Sequence, residues 1–214
     1  MKGIINNQKG VSLTELVVAL PLAVLVLVIL TFAVAKFVTT FEETKLFLQL
    51  QEELFDAVET IRYGYAKEGV TDNYALIGAF TANKVEINYS KDGITLHPLN
   101  VITGRVFKSR FFLDSDGFLK VDGYYGNQNF FGELVFPSGE NTLAGNKQRF
   151  KITNLNFEKL NPETKTKLLG IEVTAEVRYR NKQNNQSAAE DKELNTREIK
   201  YTTSVYLGNS EKDE

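Results

Sequence analysis

Glu15 is the only acid before Glu42, and it stands immediately before Leu16–Ala35, twenty residues without a charge. A carboxylate beside such a span costs up to about 3 kcal/mol to carry to mid-membrane, and less where it can reach the headgroups. It can therefore be an interfacial charge that bounds the span, or half of an ion pair with a cation at the same depth. The remaining inventory for chemistry is thin. There is no Cys, which removes disulfides, thiolate metal sites and Cys nucleophiles. His97, the only histidine, precedes Pro98 in a strand-like run without a nucleophile motif, so a structural or surface role is expected rather than a Ser-His-Asp triad. Asp114-Ser115-Asp116-Gly117, with Asp122-Gly123 downstream, reads as part of a calcium loop. Phe118 stands where a complete loop needs an oxygen ligand, and the closing Glu is missing, so a tight hairpin is expected instead. Tyr124-Tyr125 and Phe130-Phe131 could form a recognition patch, with core packing as the simpler account. The expectation is a chain with no catalytic residue, no metal site and no cofactor: not an enzyme.

Composition bounds the class. The chain has 214 residues, 43% hydrophobic and 24% charged, which is ordinary for a globular protein. Much of the apolar content lies before residue 36. A net charge of −2 gives no electrostatic case for nucleic acid, which would need a basic face. Without disulfides, a domain outside the cytoplasm must rely on its core, and roughly 140 residues suffice for one.

The element that positions Glu15 is an N-terminal anchor. Residues 1–10 are short and polar, with Lys2 and Lys9 and no acid. At 1.5 Å per residue, Leu16–Ala35 spans roughly 30 Å as a helix, the thickness of a bilayer's hydrocarbon core. The two lysines favour a cytoplasmic N-terminus with the rest of the chain outside. Ala33-Val34-Ala35 also has the small-x-small pattern of a signal-peptidase site that would release residues 36–214. The apolar run exceeds the ~7–15 residues of a signal peptide's apolar region. Helical periodicity also continues past Lys36, so such a cut would sever one element. Pro21 is expected to kink the helix near Val17.

Beyond Lys36, Phe37, Phe41, Leu48 and Phe55, together with Phe47, Leu50, Leu54, Val58 and Ile61, recur at spacings of three, four and seven. They predict an amphipathic helix with one broad stripe packed on a domain, ending near residue 62, with Gly64 as the stop. Strands follow. Val85–Tyr89 alternates, and Lys91-Asp92-Gly93 turns it into Ile94–Leu96. Ser115-Asp116-Gly117 turns a second hairpin, Asn129–Phe136 is another strand, and Phe150–Phe157 alternates cleanly. Ile171, Val173, Ala175, Val177 and Tyr179 predict one face of a strand matched by Ile199, Tyr201, Thr203, Val205 and Leu207 on its return. Residues 181–195 read as a solvated tip. No linker divides the region, so a single antiparallel β-domain is expected.

The residues around Glu15 carry a family resemblance. Lys9-Gly10-Val11-Ser12-Leu13-Thr14-Glu15-Leu16 resembles the type IV prepilin signature: a basic leader ending in Gly, an apolar residue, and Glu fifth after the cut. The likeness covers residues 1 to about 36. It implies that a membrane aspartyl prepilin peptidase cuts between Gly10 and Val11 and N-methylates Val11. It further implies that Glu15 sets subunit register by pairing with the Val11 amino terminus of a neighbour. The chain departs from the family at its first mature residue, Val rather than the commoner Phe, and by having Phe32 where major pilins carry a helix-breaking Pro. Leu48 to Arg62 is similar to the helix of larger minor pilins. Tyr201-Thr202-Thr203-Ser204-Val205-Tyr206-Leu207-Gly208-Asn209 resembles the last strand of J-type minor pseudopilins of type II secretion.

The resemblance implies an α+β pilin-like fold, a long N-terminal transmembrane and amphipathic helix packed on an antiparallel β-sheet domain. The expected divisions are a leader at 1–10, a transmembrane helix at 11–36, its amphipathic continuation at 37–63, a β-domain at 64–209 and a tail at 210–214. The implied partners are the prepilin peptidase, other pilin or pseudopilin subunits through the N-terminal helix, and the inner membrane. The implied place is at or near a filament tip. The alternative is a single-pass membrane-anchored extracytoplasmic binding module; an anchored hydrolase is disfavoured by the sparse catalytic inventory.

Overall fold

The computed structural model describes residues 12–66, 75–98, 108–125, 128–137, 142–143, 147–160, 167–179 and 196–207. The expected leader at 1–10, the tip at 181–195 and the tail at 210–214 lie outside them. The chain falls into two compact units, Met1–Lys45 and Leu46–Glu214.

Helix α1 (Leu13–Tyr63) contains no glycine and accommodates Pro21 without ending. Its first unit, as far as Lys45, is exposed along nearly its whole length. The hydroxyls of Thr31 and Thr39 donate to the carbonyls of Leu27 and Ala35, at 2.8 and 3.0 Å, so neither depends on water for a partner. Gly64, at φ +73°, stops the helix in the left-handed conformation that glycine adopts at no steric cost. Arg62 in the last turn pairs with Glu59 at 2.5 Å.

In the second unit, strands β1 (Gly64–Ala66) and β2 (Ala75–Ile77) form a small ladder beyond the helix. Strands β3 (Ala82–Ile87), β4 (Gly93–Pro98), β5 (Ser109–Leu113), β6 (Leu119–Tyr125) and β7 (Gln128–Phe136) form a five-stranded antiparallel meander. After the short pair β8 (Thr142–Leu143) and β9 (Lys147–Gln148), strands β10 (Phe150–Leu160), β11 (Leu168–Arg178) and β12 (Thr196–Tyr206) form a second antiparallel sheet. Both Asp-Gly hairpins form as expected. Val173 faces Tyr201 and Ala175 faces Ile199, in the register the alternating stripes predict.

The fold is α+β, with the second half of a long helix packed on antiparallel sheets. One core joins Leu50, Leu54, Ala57, Val58 and Ile61 of the helix to Leu96, Phe111 and Val121 of the meander and Phe157, Ile171 and Val173 of the second sheet. The expected single β-domain is built chiefly of these two sheets about a shared core. Several contacts among the described residues tie them together. Phe136 stacks on Phe150 with ring centroids 6.4 Å apart. The Ile152 N–H donates to Gly117 O at 3.0 Å, and the Phe157 N–H donates to Lys91 O at 2.9 Å.

The single broad helical stripe needs correction. Leu50, Leu54, Ala57, Val58 and Ile61 are buried, but Leu48 and Phe55 are exposed, and so are Phe37 and Phe41 in the first unit. At ~100° per residue, Leu48 and Phe55 share a line about 125° from the centre of the buried row. From there Phe55 reaches only the edge of the second sheet, meeting Tyr201 edge-on at 6.2 Å between ring centroids. Spacings of three, four and seven had merged two faces into one. Phe131 also departs from the core role expected of it, at 68% exposed on β7.

Candidate functional site

The N-terminal end of α1 is built by four residues. The Ser12 backbone N–H donates to Glu15 Oε2 at 2.9 Å, and the Glu15 N–H donates to Ser12 Oγ at 3.2 Å. Ser12 O accepts the first intrahelical bond, from Leu16 N at 3.1 Å, and the Ser12 and Thr14 hydroxyls lie 2.8 Å apart. This is a capping box: two orphan donors of the first turn are satisfied reciprocally by side chains three residues apart. A carboxylate in the first turn also complements the positive end of the helix dipole. The signal that could have found it, Ser-x-x-Glu directly before an apolar run, is present in Ser12-Leu13-Thr14-Glu15. Gly10 and Val11 lie outside the described residues.

From this cap runs an apolar surface that none of the described residues covers. Its most apolar eighteen-residue stretch has a mean hydropathy of 3.0, and none of those residues is buried. Leu16, Val18, Leu22, Leu25, Ile29 and Phe32 are all exposed. A helix of this length and composition is a candidate membrane anchor, because in water each of these side chains would forfeit roughly 1.5–3 kcal/mol of burial. In lipid, its backbone polar groups are satisfied within the helix itself.

The sequence candidates in the second unit take structural parts. Asp114 Oδ1 accepts the N–H groups of Asp116 and Phe118, at 3.0 and 2.8 Å, and Oδ2 pairs with Lys120 Nζ at 2.7 Å. Burial would raise its carboxyl pKa, but Lys120 and the two amides outweigh that and hold it below the usual range. Both oxygens thus serve the β5–β6 turn. Asp92 does the same for the β3–β4 turn. It accepts from Ser90 Oγ at 2.5 Å and from Asn88 Nδ2, while Asn88 Oδ1 takes the Gly93 N–H at 2.9 Å. Those two side chains, Ser90 first, lower the Asp92 pKa. His97 Nε2 lies 3.4 Å from Glu86 Oε2, and Lys84 Nζ lies 2.8 Å from Glu86 Oε1. Lys84 chiefly, then His97, lowers the Glu86 pKa. No group of three or more His, Cys, Asp or Glu that could hold a metal occurs among the described residues. Tyr124 and Tyr125 belong to β6 and Phe130 to β7.

No protein-family model and no curated protein matches the chain. Among solved structures, a type IV-like pilin from Thermus thermophilus is similar over 58% of this chain and 82% of that one, at 12% identity and a TM-score of 0.35.

Proposed function

We propose that the chain is a structural subunit of a type IV filament machine, made as a prepilin and assembled through α1. The observation that carries this reading is Glu15 at the head of a helix whose apolar Leu16–Ala35 run is exposed, four residues after Val11 of Lys9-Gly10-Val11. In this reading the prepilin peptidase removes residues 1–10 and methylates the new Val11 amino terminus. The subunit waits as a single-pass inner-membrane protein, its N-terminus cytoplasmic and its β-domain outside. In the free subunit Glu15 is satisfied by its own Ser12 amide. In the filament a neighbour's Val11 ammonium would add an ion pair to that bond, because an ionised carboxylate keeps free acceptor sites on both oxygens. The size of the β-domain and the TTSVYLGN ending favour a minor subunit resembling the J-type pseudopilin, at or near the tip. The role is structural and not enzymatic.

Mass spectrometry of the native protein's N-terminus tests the reading. N-methyl-Val11 is expected. A chain beginning at Lys36 would mean ordinary secretion. An intact leader would leave a membrane-anchored binding module.

A further inference from the structure

The apolar exposure of α1 continues where its uncharged run stops. Beyond Lys36, Phe37 is 70% exposed, Val38 45% and Phe41 62%. The Phe37 and Phe41 rings stack with centroids 6.4 Å apart. At ~100° per residue these three side chains occupy an arc of about 100°, and Glu43 lies about 160° around the helix from Phe41. The face is therefore one-sided.

Length says what meets it. Leu16–Ala35 already fills the ~30 Å hydrocarbon core, and Phe41 lies about 9 Å further along the axis. The headgroup layer adds roughly 5–8 Å on each side. Helical side chains lean toward the N-terminus, so the Phe41 ring covers the turn that carries Phe37 and falls back into that layer. A tilt of about 20°, ordinary for a membrane helix, brings one side of the emerging turn still closer to the lipid. Lys36 sits where a basic side chain reaches the phosphates while its stem stays apolar. Lys36 and Lys45 balance Glu42 and Glu43, so a zwitterionic surface suffices.

We propose that the Phe37–Phe41 face is a lipid-binding collar, lying at the headgroup–acyl boundary of the bilayer that holds Leu16–Ala35. It sets the depth and the direction of tilt at which the helix leaves the membrane. The inference rests on the reading of α1 as membrane-spanning.

The chain has no Trp, so single-Trp variants report one position each. Leu25→Trp, Phe37→Trp, Phe41→Trp and Glu43→Trp are made in the full chain, reconstituted in phosphatidylcholine vesicles brominated at defined acyl depths. Leu25→Trp should be quenched best by the deepest bromines. Phe37→Trp and Phe41→Trp should show blue-shifted emission and be quenched best by the shallowest bromines. Glu43→Trp should emit as in water and escape quenching. Loss of quenching at Leu25→Trp would overturn the membrane-spanning reading itself. Quenching at Leu25→Trp with water-like emission at Phe41→Trp would overturn the collar alone. So would a blue shift at Phe41→Trp that appears only as the protein-to-lipid ratio rises, which would assign this face to a second copy of the helix.

Discussion

Replacing Gly117 by Ala tests the way the two sheets are joined. Gly117 has φ +81°, and a Cβ built there would lie 2.7 Å from Ile152 O and 2.5 Å from Lys151 Cγ. The left-handed conformation costs an L-residue about 1–2 kcal/mol. Forcing the backbone of β10 away adds roughly 1–3 kcal/mol of overpacking, and weakening the Ile152 N–H to Gly117 O bond adds about 1. The expected loss is about 3–6 kcal/mol, a large part of a domain's ~5–15. Gly132 supplies the internal control. It also has positive φ, at +60°, but its Cβ would meet only Lys120 Cδ at 3.8 Å, an ordinary contact. Gly132→Ala should therefore cost only the conformational ~1–2 kcal/mol. Urea unfolding of the full chain in detergent micelles, followed by far-UV circular dichroism, measures both. At an m-value of ~2 kcal/mol/M the midpoint should fall by about 1.5–3 M for Gly117→Ala and by about 0.5–1 M for Gly132→Ala. Equal losses in the two variants would refute the claim that the β5–β6 turn is wedged against β10.

Other outcomes follow from the same structure. Leu54→Ala removes a side chain that is 2% exposed and should cost about 2–5 kcal/mol, whereas Leu48→Ala, at 56% exposed, should stay within about 0.5 kcal/mol. Comparable losses in urea unfolding would place the buried face of the helix wrongly. Asp114 has a lowered folded-state pKa, so its contribution is present above the ordinary carboxylate value of ~4 and is lost as pH falls below it, through the folded value. Asp114→Asn should flatten the acid side of the stability–pH profile, and an unchanged slope would contradict the Lys120 and amide contacts as its source. Glu15→Ala should leave the β-domain's unfolding midpoint unchanged while lowering recovery of the subunit in sheared filaments. Filaments with normal content of the variant would remove Glu15 from assembly.

Local chemistry was legible from the chain alone. An uncharged run of twenty residues, a Ser-x-x-Glu head and a glycine at Gly64 define a helix, its start and its stop through interactions that reach no more than four residues along the chain. The Asp-Gly turns at Asp92-Gly93 and Asp116-Gly117 set their hairpins for the same reason: a turn closes over a few residues, and period-two alternation then sets which side chains share a face. Longer-range choices were not legible. Leu48 and Phe131 are as apolar as Leu50, Leu54 and Phe111, and periodicity does not say which apolar row meets a sheet. That depends on where β10–β12 lie, some hundred residues further along the chain. The division of the β-region into two sheets, and the wedging of Gly117 under β10, likewise arise only when distant strands share one core. At the head of the helix the sequence marks Glu15 as a carboxylate that needs a partner. The first helical turn supplies one three residues away, the Ser12 amide, so this contact belongs to the local chemistry, whereas the choice of buried helix face belongs to the tertiary structure.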